Sequence, residues 1–208
     1  MSVGRWLAPA TAAMLGMAGV RDGSRVLDVT DDGSLAVEDG AFDAAVSRLG
    51  AALFADPRRT LAGMHRALRS GGGACTLVFS RPERNPCLAI AMATARRHVF
   101  GPRPGDDSTG DWMDLGRPGV VDRVFAAAGF RDVASIAIAA PLRLSSSASY
   151  LELLREAPGP LRGIVDRLDP SAAAAAWADI ASQLAVFSTP AGWEGPHELL
   201  LTAARRKD

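Results

Sequence analysis

Two short apolar runs, joined to a third by an amphipathic helix, constrain the fold of this chain more than any other feature. Residues 26–29 and 42–49 are rich in small and β-branched apolar residues, and residues 74–80 form a third run of the same kind. Between the second and third runs, Pro57 opens a segment whose apolar residues recur at helical spacing. This strand–helix–strand order predicts a parallel sheet covered by helices, and therefore an α/β fold.

The second half of the chain continues this pattern and then adds a helical segment. Pro118 begins another amphipathic helix, and a strand is predicted at about residues 131–143. About 145–189 has helical periodicity with one apolar face per helix, ahead of a final strand at 197–204. Because such faces must pack against something, we predict a helical cap over the ligand-binding edge of the sheet. The chain is then a single domain, residues 1–208, with the cap inserted between its last two strands.

Local signals predict several helix boundaries. Helices are expected at about residues 7–18 and 86–99. The glycines at 71–73 are expected to end the helix that precedes the third apolar run. Asp169 and Pro170 form a plausible N-cap and first residue of the last cap helix.

The composition argues against several classes of protein. Hydrophobic residues make up 48% of the chain and charged residues 22%, which is ordinary for a globular protein. Lys+Arg and Asp+Glu both number 23, so no net charge favours nucleic acid or an anionic membrane as a partner. Cys75 and Cys87 have neither zinc-ligand spacing nor a disulfide framework, and Cys75 is expected in the core. No stretch reads as a signal peptide or membrane span, so a cytoplasmic location is expected.

Five phrases of the sequence, in order, resemble the small-molecule class I S-adenosylmethionine (SAM) methyltransferases related to the ubiquinone and menaquinone C-methyltransferases. In that family they correspond to strand 1, strand 4, the helix after it, strand 5, and the helix before strand 6. The resemblance implies a Rossmann-like sheet that retains strands 1, 4, 5, 6 and 7. The phrases are AGVRDGSRVLDV (18–29), EDGAFDAAVSRLG (38–50), DPRRTLAGMHRALRSGGG (56–73), FSRPERNP (79–86) and RPGVVDRVFAAAGFRDV (117–133).

The chain departs from this family where the family binds SAM. In the family, strand 1 leads into a glycine-rich loop, and the second strand ends in an acidic residue that binds the ribose hydroxyls of SAM. Here Gly33 is the only glycine between strand 1 and Gly40, and the strand-4 phrase begins at once. Strands 2 and 3 are absent by this comparison, a loss on the order of 60 residues. No cofactor is therefore expected, and SAM remains only as the alternative.

The shortened connection has a consequence for assembly. Strand 1 is left at an edge of the sheet, with unpaired backbone groups and an uncovered apolar face. We therefore expect a homodimer in which a partner subunit covers the strand-1 edge.

An acidic cluster stands where the SAM loop is expected. Part of it fits the spacing of a calcium-binding loop, but the flanks are strands and the twelfth position is Asp instead of Glu. A solvated turn is the favoured interpretation, and no metal site is predicted. The calcium-like positions are Asp28, Thr30, Asp32, Gly33, Leu35 and Asp39.

Candidate site residues come from strand ends and from the cap. Ser47 and Arg48 lie at the carboxyl end of the second apolar run, at the edge where open α/β sheets bind ligands. We predict that both contact a small-molecule substrate and that Arg48 holds a carboxylate or polarises a carbonyl, although a structural ion pair is equally compatible. His197, at the start of the last strand, is a second candidate catalytic residue. The further predicted pocket residues are Trp112, Met113 and Tyr150.

Other histidines and aromatic residues favour structural roles. His65 is expected to be half-buried on a helix, and His98 to sit as a cation near a helix C-terminus. Trp177 and Phe187 lie at helical spacing and are expected in the core.

Three hypotheses remain for the function. The first is a SAM-independent catalyst of cyclisation, rearrangement or elimination in a capped apolar pocket, in natural-product metabolism. The second is an active methyltransferase that binds SAM by other means, with help from a partner chain. The third is a non-catalytic binding protein. No nucleophile–base pair is visible in the sequence to decide among them.

Overall fold

A computed structural model describes residues 3–29, 37–50, 55–101, 111–157 and 159–207 of the chain, without the side chains of residues 111 and 112. The chain forms two compact units. The first, which we call the sheet unit, comprises residues 2–81, 114–139 and 198–208. The second, the insert unit, comprises residues 82–113 and 140–197.

The sheet unit is built on a mixed sheet that confirms the predicted α/β fold. Over the described residues its strand order is β1-β2-β3-β8-β4. β1, β2 and β3 are parallel, and β8 runs antiparallel to both of its neighbours. The strands are β1 (Val26–Asp28), β2 (Phe42–Arg48), β3 (Leu68–Phe79), β4 (Arg131–Ala139) and β8 (Glu198–Arg205).

Three helices cover this sheet: α1 (Val3–Met17), α2 (Pro57–Ala67) and α4 (Val120–Ala127). The carboxylate of Asp56 accepts from the backbone N–H of Arg59 and so caps α2, which begins at Pro57 as predicted. Leu61 and Met64 of α2 are fully buried in the main apolar core. Side chains alternate between the two faces of a strand, so this core occupies one face of the sheet.

The expected end of α2 is wrong by several residues. The helix ends at Ala67, and β3 begins at Leu68, so the glycines at 71–73 lie inside a strand. Gly71 N–H donates to the carbonyl of Arg206, which extends the ladder in place of a helix C-cap. A Cβ atom at Gly73 would lie 2.0 Å from the carbonyl oxygen of Ala18. Glycine is needed there for close backbone approach, not for a turn.

The insert unit combines helices with a small sheet. Its helices are α3 (Pro86–Phe100), α5 (Ser147–Glu156), α6 (Pro160–Val165) and α7 (Pro170–Leu184). The carboxylate of Asp169 accepts from the N–H groups of Ser171 and Ala172, which confirms the predicted cap of α7. Three short strands form an antiparallel sheet in the order β5-β7-β6: β5 (Leu142–Leu144), β6 (Ser188–Thr189) and β7 (Gly192–Gly195).

This second sheet corrects two predictions. The strand expected at 131–143 stops at Ala139, shortly before Pro141, which has no N–H to donate to a ladder. The segment at 145–189 is not wholly helical, since it ends in β6. A strand of two to four residues is too short to produce a period-2 signal. The placement of the insert as a cap stays a prediction.

Candidate functional site

The carboxyl end of β2 carries two predicted site residues, and they have different surroundings. Ser47 is fully buried, and its hydroxyl donates to the carbonyl of Val29 at 2.8 Å. That bond ties the chain after β1 to β2. Arg48, on the opposite face of the strand, is half-buried, and its Nη1 donates to Thr11 Oγ1 of α1 at 3.2 Å. Arg48 is therefore the member of this pair that is partly open to solvent.

Ser47 belongs to a row of hydroxyl side chains that crosses four strands. It is in register with Thr76 on β3, which is in register with Thr202 on β8 and then Ser135 on β4. Ser135 Oγ lies 2.6 Å from Thr202 Oγ1 and donates to the carboxylate of Asp122 at 2.5 Å. Within the described residues the buried Thr76 hydroxyl has no hydrogen-bond partner. The sequence analysis did not predict this row, because it depends on the register of four strands.

A carboxylate that was not predicted lies at the same edge of the sheet. Ser80, just after β3, donates its hydroxyl to Glu198 Oε1 at 2.8 Å, and its N–H donates to the Glu198 carbonyl. Because β8 is antiparallel, its first residue lies at the carboxyl ends of β2 and β3. A Cβ atom at Gly116 would lie 2.1 Å from the carbonyl oxygen of Phe79, so the backbone at Gly116 packs directly against this edge. The signal available in the sequence was the position of Glu198 at the start of the last strand.

The polar edge of the sheet unit thus holds the cationic side chain of Arg48 and the anionic side chain of Glu198, and Asp28 ends the parallel strand β1 at the same edge. Arg48 ends β2, and Glu198 begins β8, with β3 between these strands. In open α/β sheets this edge is the usual ligand-binding position. A guanidinium suits a carboxylate or a developing negative charge, and a carboxylate can accept a proton.

The structure joins two other predicted site residues inside the insert unit. Tyr150 Oη and His197 Nε2 are 3.0 Å apart, and His197 Nδ1 is 3.0 Å from the carbonyl oxygen of Gly195. A carbonyl only accepts, so Nδ1 carries the proton and Tyr150 donates to Nε2. Burial lowers the pKa of His197 to about 4, partly offset by the bond to Gly195. Burial, with a smaller effect of Cys87, raises the pKa of Tyr150.

This tyrosine–histidine pair is part of a packed core. Tyr150 stacks on Trp193 with ring centroids 4.5 Å apart, and Trp193 Nε1 donates to the carbonyl of Leu184. Met113 is also buried, at 1% exposure. Tyr150 and Met113 therefore sit in core surroundings and not at an open surface. The Trp112 side chain lies outside the described residues.

A surface cleft of about 540 Å³ opens elsewhere in the insert unit, beside α5 and β5. Ser149 and Glu152 line it, and Arg143 at its rim is paired with Glu194 at 2.8 Å. None of the predicted site residues lines this cleft.

The remaining predictions have mixed outcomes. His65 is half-buried as expected and lies edge-on to Phe130, and burial followed by the charge of Arg206 lowers its pKa. His98 has a specific partner that was not expected, since its Nε2 is 3.3 Å from the carboxylate of Asp179. Trp177 is only half-buried.

Trp177 and Phe187 were expected in the core, and both expectations are wrong in degree. The guanidinium of Arg155 lies over the Trp177 ring, 5.2 Å from the ring centroid. Phe187 is half-buried and edge-on to Trp193. Cys75 is fully buried, as expected.

Of the acidic cluster, only Asp31 and Asp32 lie outside the described part of the chain. Among the residues that are described, no three His, Cys, Asp or Glu side chains are grouped as metal ligands. In the same part of the chain, no helix is long and apolar enough to cross a membrane.

Comparison with known proteins places this fold. Residues 7–76 match the family model of a methyltransferase domain. YcgJ from Bacillus subtilis superposes with a TM-score of 0.57 at 14% identity, over 97% of this chain and 99% of that one. A protein from Anabaena variabilis, assigned as a methyltransferase of an antibiotic biosynthesis pathway, gives 0.56 at 12% identity over 94% and 96%. The chain has a methyltransferase fold.

The methyltransferase fold also includes a protein named for a different reaction. The [4+2]-cyclase SpnF superposes with a TM-score of 0.52 at 16% identity, over 96% of this chain and 81% of that one. None of the curated proteins compared with the chain matches its sequence significantly. The resemblance to SAM-dependent methyltransferases is confirmed, whereas the quinone-methyltransferase subtype and the loss of strands 2 and 3 stay predictions.

Proposed function

We propose that this chain is a SAM-independent catalyst on a methyltransferase fold, which converts a small natural-product substrate by cyclisation, rearrangement or elimination. The observation that carries the proposal is how little chain separates β1 from β2. Val29 N–H still pairs with the carbonyl of Val46, beyond the end of β1. On the other side, Gly40 N–H donates to the carbonyl of Arg66, and Asp39 pairs with the Arg66 side chain at 2.8 Å.

These bonds anchor both ends of the connection. Residues 30–38 are the chain between the anchored ends, and they must return from the carboxyl end of one strand to the amino end of its parallel neighbour. A strand–helix unit takes roughly 30 residues with its return strand. The connection is therefore too short for the second strand and its ribose-binding acid, and Gly33 is its only glycine. The residues of this connection therefore do not match the glycine-rich loop and the acid with which the methyltransferase family binds SAM.

The polar edge supplies the chemistry proposed for the substrate. Arg48, oriented by Thr11, would hold a substrate carboxylate or stabilise negative charge that develops on a carbonyl oxygen. Cyclisation and rearrangement need no co-reactant, because every atom of the substrate remains in the product. The comparison with SpnF supports this reading, since a protein of this fold is named as a cyclase.

The alternative is a methyltransferase that binds SAM by another route. It is favoured by the family-model match, which covers the segment from α1 to β3. It requires groups from elsewhere to replace the glycine loop and the ribose-binding acid. A binding protein without catalysis is the third possibility.

Product mass separates these functions. Purified protein is incubated, with and without SAM, with an extract of small molecules from the organism that encodes the protein. The products are identified by mass spectrometry. We expect a compound to be converted without SAM into an isomer, or into a product lighter by one small neutral molecule. A product heavier by one methylene unit, formed only with SAM, would support the alternative, and no conversion would support a binding protein.

Variants of two arginines test the role of the polar edge. Arg48→Met should slow the conversion at least about tenfold, because it removes a charged contact of about 1.5–3 kcal/mol. Arg58→Met, at an exposed position on α2, is the matched control and should convert substrate at the wild-type rate. Equal rates for all three proteins would exclude Arg48 from the site.

A further inference from the structure

β4 forms an outer edge of the sheet, and most of it is open to solvent. Within the described residues it pairs with β8 alone. Seven of its nine residues are exposed, and Ile136 is an exposed large hydrophobic residue at 45%. The backbone N–H and C=O groups on the outer side of β4 are thus a template for another strand.

Beyond an irregularity in register between Arg131 and Ala134, this edge lacks the features that usually protect edge strands from pairing. Residues 133–142, VASIAIAAPL, contain no charge, and Pro141 lies beyond the end of the strand. The nearest charged residue along the strand is Asp132, which is paired with Lys207 at 3.1 Å, and the Asp122 carboxylate accepts a hydrogen bond from Ser135 on one face of the strand. Natural edge strands are commonly short, charged or interrupted by proline, and the central part of β4 is none of these.

Because the unpaired groups belong to the main chain, the occupant of this edge must be a β-strand. We propose that it is β4 of a second copy of this chain, paired antiparallel about a two-fold axis at Ala137. In that register Ile136 lies opposite the partner's Ile138 on the same face of the sheet, and Ser135 lies opposite the partner's Ala139. The paired stretch brings no two charges together, and apolar β-branched pairs stabilise such contacts.

The proposal moves the expected homodimer from the β1 edge to the opposite edge of the sheet. In the proposed register residues 135–139 of each β4 pair, a ladder of five residues, whereas β1 has only three. The proposal is independent of the proposed function.

Sedimentation equilibrium over a range of concentrations measures the association. Wild type should be a dimer at high concentration, and Ile136→Lys should be monomeric, because it places a charge on the paired edge. Val186→Lys is the matched control: Val186 is 74% exposed in the insert unit, and its variant should associate like wild type. A monomeric wild type, or an unchanged dimer in Ile136→Lys, would overturn the proposal.

Cysteine substitutions test the register itself. Ala137→Cys places two thiols directly opposite across the axis, where Cα atoms of paired residues are about 4.5–5.5 Å apart and a disulfide fits. In Ala139→Cys the two thiols lie four residues apart along the pair, about 13 Å. Mild oxidation should cross-link the first variant and not the second, since the native Cys75 and Cys87 are buried. Equal cross-linking of both, or preference for the second, would contradict the register.

Discussion

The candidate site residues of the sheet unit and of the insert unit differ in burial and in hydrogen bonding. In the insert unit, His197 and Tyr150 are buried and bonded to each other, and the remaining histidine nitrogen bonds to a backbone carbonyl. In the sheet unit, Thr76 has a buried hydroxyl without a described partner, and Arg48 remains partly open at the strand ends. Buried polar groups that all have hydrogen-bond partners are typical of a core. Partly exposed charged groups at the carboxyl ends of strands are typical of a ligand site.

The largest effect that tests this comparison is the contribution of His197 to the loss of stability at low pH. Its folded-state pKa of about 4 is below the unfolded value of 6.5, so the unfolded chain binds the extra proton between these values. The stabilising effect is complete above about pH 6.5 and is lost as the pH falls to about 4, a loss of about 3 kcal/mol. Wild type should therefore lose about 3 kcal/mol more than His197→Gln, in the free energy of unfolding by urea, between about pH 7 and pH 4.

The outcome that would contradict this prediction concerns the protonation of His197 in the folded protein. Parallel curves for wild type and His197→Gln would show that His197 is already able to take up a proton in the folded state. That result would indicate that His197 lies at an accessible site and not in a packed core.

A smaller effect is expected in the hydroxyl row. Thr76→Val removes a buried hydroxyl that has no described partner and keeps the side-chain shape, so it should raise the free energy of unfolding by about 1 kcal/mol. Thr202→Val removes the hydroxyl 2.6 Å from Ser135 and should lower it by about 1 kcal/mol. Thermal and urea unfolding measure both. A destabilised Thr76→Val would indicate that a buried water satisfies this hydroxyl and that the row is complete.

Sequence patterns predicted the long elements of both units well. The helix that Pro57 opens and the one capped by Asp169 begin where the capping chemistry requires, and β2 carries a clear apolar run. The short strands β5 and β7 escaped notice, because a few residues carry too little periodicity to distinguish a strand from a loop. Gly73 was misjudged because close contact with Ala18 is a tertiary demand that no local pattern records.

Site residues were predicted less well than elements. Position at a strand end identified Ser47 and Arg48, but only the fold reveals that the hydroxyl of Ser47 is used by the Val29 carbonyl. Glu198 was missed because the sequence does not reveal the direction of the last strand. Only an antiparallel β8 brings its first residue to the carboxyl ends of β2 and β3. His197 was identified one residue away from it, and its bond to Tyr150 depends on a contact across 47 positions of sequence.

Isothermal titration of the purified protein with SAM and with S-adenosylhomocysteine tests the central claim most directly. The account predicts no heat of binding at millimolar ligand, because the anchored connection between β1 and β2 leaves no room for the strand that holds the ribose. Micromolar binding of either compound would contradict it, and the chain would then be a methyltransferase with an unusual SAM site.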